Sequence, residues 1–560
     1  MHKPYRSGVA AVVLALCSVA PSTPPAGASV PSATFAATTT VTPGAYPQFV
    51  ELGDLNGDTL LDLVVAELYE STAVSVFLGD GSGGFGPRAG FGSGHTAWVR
   101  VGDLNSDGNP DLVYGPSGGV TALFGDGTGS FGSPVVYPFY AYVIDLADMN
   151  GDDALDLVTS DAVRLGDGTG AFGAPTTHPN ASQVADLNGD SLPDLVAVTG
   201  IEDARVTVFL ANGDGTFGAG QDLVPGNGPK NSVTIADLDG DSIPDIISTN
   251  AWTNDVSVQL GDGTGSFGDV ANYPAGFYPE TVAVGDLNGD AVPDLAVANP
   301  GTPAEFPIDG SMSVLLGTGD GGLGANTTLA GGSWWSAQVG DLDGDGRPDI
   351  VGALTLEGVV GILRNTTPLR VPGPPLIGVA SAGHGQATVS WTPPAPNPWS
   401  PVTGYVVTPY VGYFPLPSQT FGSTATTQVV TGLTNGTQYR FRVQAINAIG
   451  TGGYSQVSNA VTLPTVPGAP MIGSAVAGNG QATVSWTPPA SNGGAAITGY
   501  VVTPYVGYYP LAPRTFPSTA TTQPITGLTN GTQYRFRVQA TNAIGTGGYS
   551  TVTAPVTPTP

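Results

Sequence analysis

Seven short stretches of this chain place side-chain oxygens at alternate positions of a tight loop, in the pattern Asp-x-Asn/Asp-x-Asp-x-x-x-Asp. The first three contain Asp54, Asn56, Asp58 and Asp62; Asp103, Asn105, Asp107 and Asp111; and Asp148, Asn150, Asp152 and Asp156. The fourth and fifth contain Asp186, Asn188, Asp190 and Asp194, then Asp237, Asp239, Asp241 and Asp245. The last two contain Asp286, Asn288, Asp290 and Asp294, then Asp341, Asp343, Asp345 and Asp349. Side chains at positions 1, 3 and 5 of such a loop can converge on one hard cation. A backbone carbonyl at position 7 adds an oxygen, and a carboxylate at position 9 can close the shell. Oxygen donors without His or Cys select calcium over zinc or copper. Self-capped turns also use Asp and Asn, but seven copies that keep all four oxygens favour a cation, since clustered carboxylates repel one another. Up to seven structural calcium sites are expected.

An EF-hand is excluded by counting. It requires an acidic residue at position 12 and a helix beyond it. Here position 12 is Val65, Tyr114, Thr159, Ala197, Ser248, Val297 or Gly352, each within a strand-like run.

The loops start 49, 45, 38, 51, 49 and 55 residues apart, about one four-stranded propeller blade per repeat. Alternating segments such as VTIAD precede the loops, and β-branched runs such as DIIST follow them. A third segment leads into a glycine-rich turn such as GDGTGSF, and a fourth strand follows. With strands labelled A to D, the aspartate loop joins A to B. The seventh repeat has no glycine-rich turn and no strand D. Residues from Phe35 to Val41 resemble the missing piece and would close the ring from the other end of the chain.

These repeats resemble the FG-GAP (integrin α-like) repeats over residues 34–367. The resemblance implies an all-β, seven-bladed propeller in which the aspartate loops bind calcium and stiffen the ring. Many loops of that family carry Gly at position 6, where a left-handed backbone is needed. Only Gly108 and Gly346 do so here, and Thr59 is the least comfortable substitute.

Residues 371–463 and 466–557 are near-copies offset by 95 residues, sharing ATVSWTPP and GLTNGTQYRFRVQA. They resemble fibronectin type III domains, which implies two β-sandwiches. Trp391 and Trp486, Tyr439 and Tyr534 are family landmarks with core-packing roles.

The formal charge is −29, from 44 acidic and 15 basic residues, and no Asp or Glu lies beyond residue 370. A strongly acidic N-terminal region lacks the basic footprint of nucleic-acid binding and attracts cations. Lys3 and Arg6 precede an apolar stretch from Val9 to Ala20, with Ala26-Gly27-Ala28 beyond it. This reads as a secretory signal over residues 1–28, so the protein is expected outside the cell, without a transmembrane segment. Cleavage would remove Cys17, the only cysteine, leaving metal ions rather than disulfides as possible staples.

In an up-and-down blade, the A–B loops and C–D turns share one face. The B–C and D–A connections lie on the other, and they are rich in aromatics. Trp98, Tyr140, Trp252, Tyr278, Trp334 and Trp335 are the expected ligand-facing residues, suited to stacking on a glycan or anchoring an extracellular protein partner. The main functional expectation is a non-catalytic adhesion or ligand-binding protein with structural calcium. The alternatives are a carbohydrate-binding accessory and an enzyme of polysaccharide degradation, a lyase or glycosidase. Against an enzyme, Lys230, His95, His178 and His384 occupy no recognisable acid–base or nucleophile motif.

Overall fold

A computed structural model describes residues 32–68, 72–116, 119–139, 143–178, 181–199, 205–223, 230–301 and 310–560. The expected signal segment and Tyr140 lie outside these residues. The chain divides into two compact units, the second opening at Arg370.

The first unit contains seven four-stranded antiparallel sheets. Blade 1 is typical, with strands A to D at Pro47–Gly53, Asp62–Glu67, Val74–Phe77 and Ala89–Phe91. The A strand of each blade packs against the A strand of the next, and that of blade 1 packs against that of blade 7, so the ring is closed. Blade 7 takes strands A to C from Gln338–Gly340, Asp349–Leu354 and Val359–Leu363. Its fourth strand is Thr39–Val41, antiparallel to Val359–Leu363 with Thr40 opposite Gly361. Phe35 bridges to Asn365, and the Thr34 amide donates to the Thr367 hydroxyl.

The continuous apolar runs of the B strands follow from burial on both faces. In blade 1, Leu63 and Val65 enter a core shared with blade 7, while Val64 and Ala66 enter one shared with blade 2. One such cluster fills each gap around the ring.

The glycine-rich turns interlock neighbouring blades. The fifth residue of each turn is a glycine with a left-handed backbone that faces the end of strand C of the preceding blade. A Cβ on Gly129 would lie 2.6 Å from Leu78, and one on Gly170 would lie 2.5 Å from Phe124. The same relation joins Gly215 to Leu165, Gly265 to Leu210 and Gly321 to Leu260. At the joint from blade 7 to blade 1, Gly83 faces the Arg364 guanidinium. Blade 7 has no such turn. In its place, the N-terminal Phe35 packs into the cluster that holds Leu316 of blade 6.

The second unit contains two β-sandwiches of the same design. In the first, Gln386–Thr392 pairs with Leu376–Gly383 and Thr427–Thr431, opposite a sheet centred on Gly404–Val411 and Gln438–Ile446. The Trp391 and Tyr405 rings meet edge to face at 4.9 Å, and the Tyr439 hydroxyl accepts the Thr434 amide. Trp486, Tyr500 and Tyr534 repeat these contacts in the second sandwich.

Candidate metal loops and the opposite face

All seven aspartate loops share one hydrogen-bonding scheme. The position-1 carboxylate accepts the amide of position 6, as from Thr59 to Asp54 at 2.9 Å and from Ser242 to Asp237 at 2.8 Å. The position-5 carboxylate accepts the amide of position 7, as from Leu60 to Asp58 at 2.9 Å. Position 6 is left-handed in every copy, with φ of 71° at Thr59, 71° at Ser242 and 82° at Gly346. A β-branched residue is strained there. Thr59→Gly should therefore raise stability by about 1 kcal/mol despite the freer unfolded chain. A lowered melting temperature would count against this strain.

Position 9 also holds backbone. Its aspartate is buried in every copy, 0% exposed at Asp62 and 1% at Asp245. Both of its oxygens accept backbone amides: Asp62 takes Leu55 and Gly79, each at 2.8 Å, and Asp245 takes Leu238 at 2.7 Å and Gly261 at 2.9 Å. The same pair of bonds recurs at Asp111, Asp156, Asp194, Asp294 and Asp349. The carboxylate expected to close a metal shell thus has a structural task within the fold itself. It clamps the A–B loop to the residue that begins the C–D connection, a contact to a distant backbone that the motif itself does not reveal.

Positions 1, 3 and 5 carry the converging oxygens, and position 3 sorts the loops into two kinds. In five loops it is Asn, whose amide donates to the position-5 carboxylate, as from Asn56 to Asp58 at 3.0 Å and from Asn288 to Asp290 at 3.1 Å. In loops 5 and 7 it is Asp. There Asp237, Asp239 and Asp241, and likewise Asp341, Asp343 and Asp345, bring carboxylate oxygens within 4.8 Å of one another. No side-chain amide at position 3 relieves that repulsion there. Desolvation first, and the neighbouring carboxylates with it, push Asp239 and Asp343 above the usual carboxylate range. Loop 7 carries its own partial answer, an ion pair between Arg347 and Asp345. Loop 5 has no such cation among the described residues. Three gathered hard oxygens of this kind fit calcium.

On the opposite face the aromatics separate into exposed and packed. Trp252, in the B–C turn of blade 5, is 68% exposed, and Phe277 in the next D–A connection is 51% exposed. The two connections are tied together, the Asn254 side chain accepting the Tyr278 amide and its carbonyl the Ala275 amide. Tyr278 is half-buried. Trp334 does not belong to a ligand face: it is 0% exposed and packs in the core between blades 6 and 7. An aromatic in a connection can turn inward as readily as outward, and composition does not distinguish the two. Trp335 is half-buried, its indole N–H donating to Ser333 at 3.0 Å. Trp98 is half-buried on an inner strand, its ring 4.7 Å from that of Phe49.

One charged group escaped the sequence reading. Three residues before each loop, the inner strands carry Glu51, Arg100, Asp145, Gln183, Thr234, Ala283 and Gln338. The first three meet across blades 1 to 3, Arg100 lying 3.8 Å from Glu51 and 4.0 Å from Asp145. All three are buried. Burial pushes Glu51 up to about 7, with Arg100 lowering it and Asp145 raising it. Aligning the repeats on their loops would have exposed the trio. Its pH effect has a definite sign. The folded value lies above the ordinary 4.5, so this contribution is full below pH 4.5, falls as pH rises through 7 and stays low above it. Glu51→Gln should thus stabilise at pH 8, by on the order of 2–3 kcal/mol, and change little at pH 4. Parallel melting curves for the two proteins at both pH values would refute the assignment.

Family models match in two blocks. FG-GAP-like repeats are found at residues 54–114, 103–159, 186–248 and 237–297, and an FG-GAP repeat at 278–322. Fibronectin type III domains are found at 373–461 and 468–556. Loop 7, from Asp341, lies outside the matched segments but has the same hydrogen bonds as the others. The chain is 33% identical to a Kelch domain-containing protein of Saccharolobus solfataricus over 31% of its own length and 23% of that protein's. It is 35% identical to Endoglucanase B of Cellulomonas fimi over 30% of its length and 16% of the enzyme's. The chain thus spans less than a quarter of either relative. A solved lectin from Agrocybe aegerita, described as recognising non-reducing terminal N-acetylglucosamine, overlays on 51% of this chain and 80% of its own at 21% identity, with a TM-score of 0.40. From its closed ring of seven sheets, its aspartate loops and the family-model matches, the chain belongs to the FG-GAP repeat propellers and carries two fibronectin type III domains after the ring.

Proposed function

We infer that this is a secreted, non-catalytic adhesion or ligand-binding protein whose propeller is stiffened by calcium at one end and binds its ligand at the other. The observation that carries this reading is the gathering of three carboxylates within 4.8 Å in loops 5 and 7, while Trp252 and Phe277 stand exposed on the opposite connections. Calcium would be held by positions 1, 3 and 5, and when bound it would supply the positive charge those carboxylates need. The position-9 aspartates order the loop around it. The apolar stretch from Val9 to Ala20 after Lys3 and Arg6 supports export, and among the described residues no helix is long and apolar enough to cross a membrane.

A carbohydrate-binding accessory to polysaccharide degradation is the second reading, favoured by the similarity to Endoglucanase B and by the open indole of Trp252. A glycan array probed with the full chain and with Trp252→Ala, together with a reducing-sugar release assay, separates the readings. Glycan binding that Trp252→Ala abolishes, without sugar release, supports the carbohydrate reading. Sugar release would overturn the non-catalytic one, and no glycan binding would leave a protein ligand.

A further inference from the structure

Among the described residues, the most exposed large hydrophobic side chains lie in the fibronectin type III domains. In the first, Gly404–Val411 turns back at Gly412 and Tyr413 into Phe414–Pro415, with Val411 opposite Phe414. Tyr413 is 98% exposed and Phe414 78%. The second domain repeats this hairpin, with Tyr508 97% and Tyr509 79% exposed. Neither pair contributes to the sandwich cores. Two adjacent aromatic rings held in water at a rigid hairpin tip cost solubility without contributing to stability, and here the arrangement occurs twice.

Charge singles out the partner. Residues 371–560 contain five arginines and no Asp, Glu or Lys. Four of those arginines lie on the strands paired with the aromatic hairpins. Arg440 is opposite Tyr410 and Arg442 opposite Thr408, and Arg535 and Arg537 are opposite Tyr505 and Thr503. The Arg442 guanidinium lies 5.9 Å from the Tyr410 ring, and that of Arg537 lies 5.7 Å from Tyr505. Without carboxylates, this region lacks the usual charged acceptors for sugar hydroxyls, but it can pair guanidinium with an anionic substituent and lay aromatic rings on a sugar face. Two equal sites suit a ligand that repeats along its length, because the second contact then forms at high effective concentration.

We propose that the paired aromatic hairpins of the two fibronectin type III domains, with their flanking arginines, form a bivalent binding surface for an acidic polysaccharide. This surface is separate from the propeller's ligand face and does not depend on the reading given to that face.

The test is affinity electrophoresis of the full chain in buffered calcium, in gels containing carboxymethyl cellulose or hydroxyethyl cellulose, which share a backbone and differ in charge. Carboxymethyl cellulose should retard the protein in a salt-sensitive manner, and hydroxyethyl cellulose should not. Tyr413→Ala with Phe414→Ala should weaken the interaction about tenfold by removing bivalence, and adding Tyr508→Ala and Tyr509→Ala should abolish it. Arg442→Gln with Arg537→Gln should remove most of the salt sensitivity. The tip residues touch no core, so unchanged melting curves are expected for their variants. Equal retardation by hydroxyethyl cellulose, equal binding to poly-dT or phosphatidylglycerol vesicles, full binding by the fourfold variant, or no retardation would each overturn the proposal.

Discussion

Excess EDTA should lower the melting temperature of the propeller, by an amount that reports how many loops were filled. Extracellular calcium modules bind with constants of roughly 10⁻⁴ to 10⁻³ M. At about ten times that concentration, each site adds about 1.4 kcal/mol by mass action. A ring of this size loses roughly 1.4 °C per kcal/mol, by the usual unfolding entropy per residue. Loops 5 and 7 alone would give a fall of about 4 °C, and all seven about 14 °C. Blade 5 then separates ligand from clamp. Asp241→Asn should remove that loop's share of the calcium response, since Asp241 is one of its three gathered carboxylates. Asp245→Asn should cost about 2 kcal/mol with or without metal, because an amide nitrogen replaces an oxygen that accepts a backbone N–H. A melting curve that EDTA leaves unmoved would sink the calcium reading. Equal calcium dependence in both variants would sink the division of labour.

Deleting residues 32–43 should open the ring. The deletion removes the pairing of Thr39–Val41 with Val359–Leu363 and the bridge from Phe35 to Asn365. It leaves VVGIL, an apolar and otherwise buried strand, as an exposed edge. Such an edge pairs with other chains, so oligomers in size-exclusion chromatography and an early, broad melting transition are expected. A synthetic peptide of residues 32–43 added in trans should restore the monomer and the melting temperature. Monomeric, normally melting protein after the deletion would show that closure by this strand contributes little.

Much of this was legible in the sequence because repetition amplifies it. Seven aspartate loops fixed the period, and the residue at position 12 excluded a helix after each. A missing strand at one end and a spare one at the other predicted the closure. What stayed hidden depends on partners distant in sequence. Nothing in the motif tells that Asp62 reaches Gly79, so its clamping of a distant backbone was not foreseen. Trp334 follows two glycines and a serine in an aromatic-rich connection, and only the packing of blades 6 and 7 shows that it turns inward. The Glu51, Arg100 and Asp145 trio is spread over three repeats, each charge unremarkable alone.

A ring of near-interchangeable units faces a problem of miscounting: a chain could close one blade early, or lend its first strand to the wrong sheet. The interlocks between blades carry a distinguishing mark against this. Where the described joints between blades 1 and 6 place Leu or Phe against the turn glycine, the meeting point of first and last blades places Arg364 there. A blade seated at the wrong joint would press a glycine turn made for an aliphatic side chain onto a guanidinium, or leave that guanidinium without its intended seat. The seam is thus chemically addressed, and the number seven is written into the side chains at the seam as well as into the count of repeats.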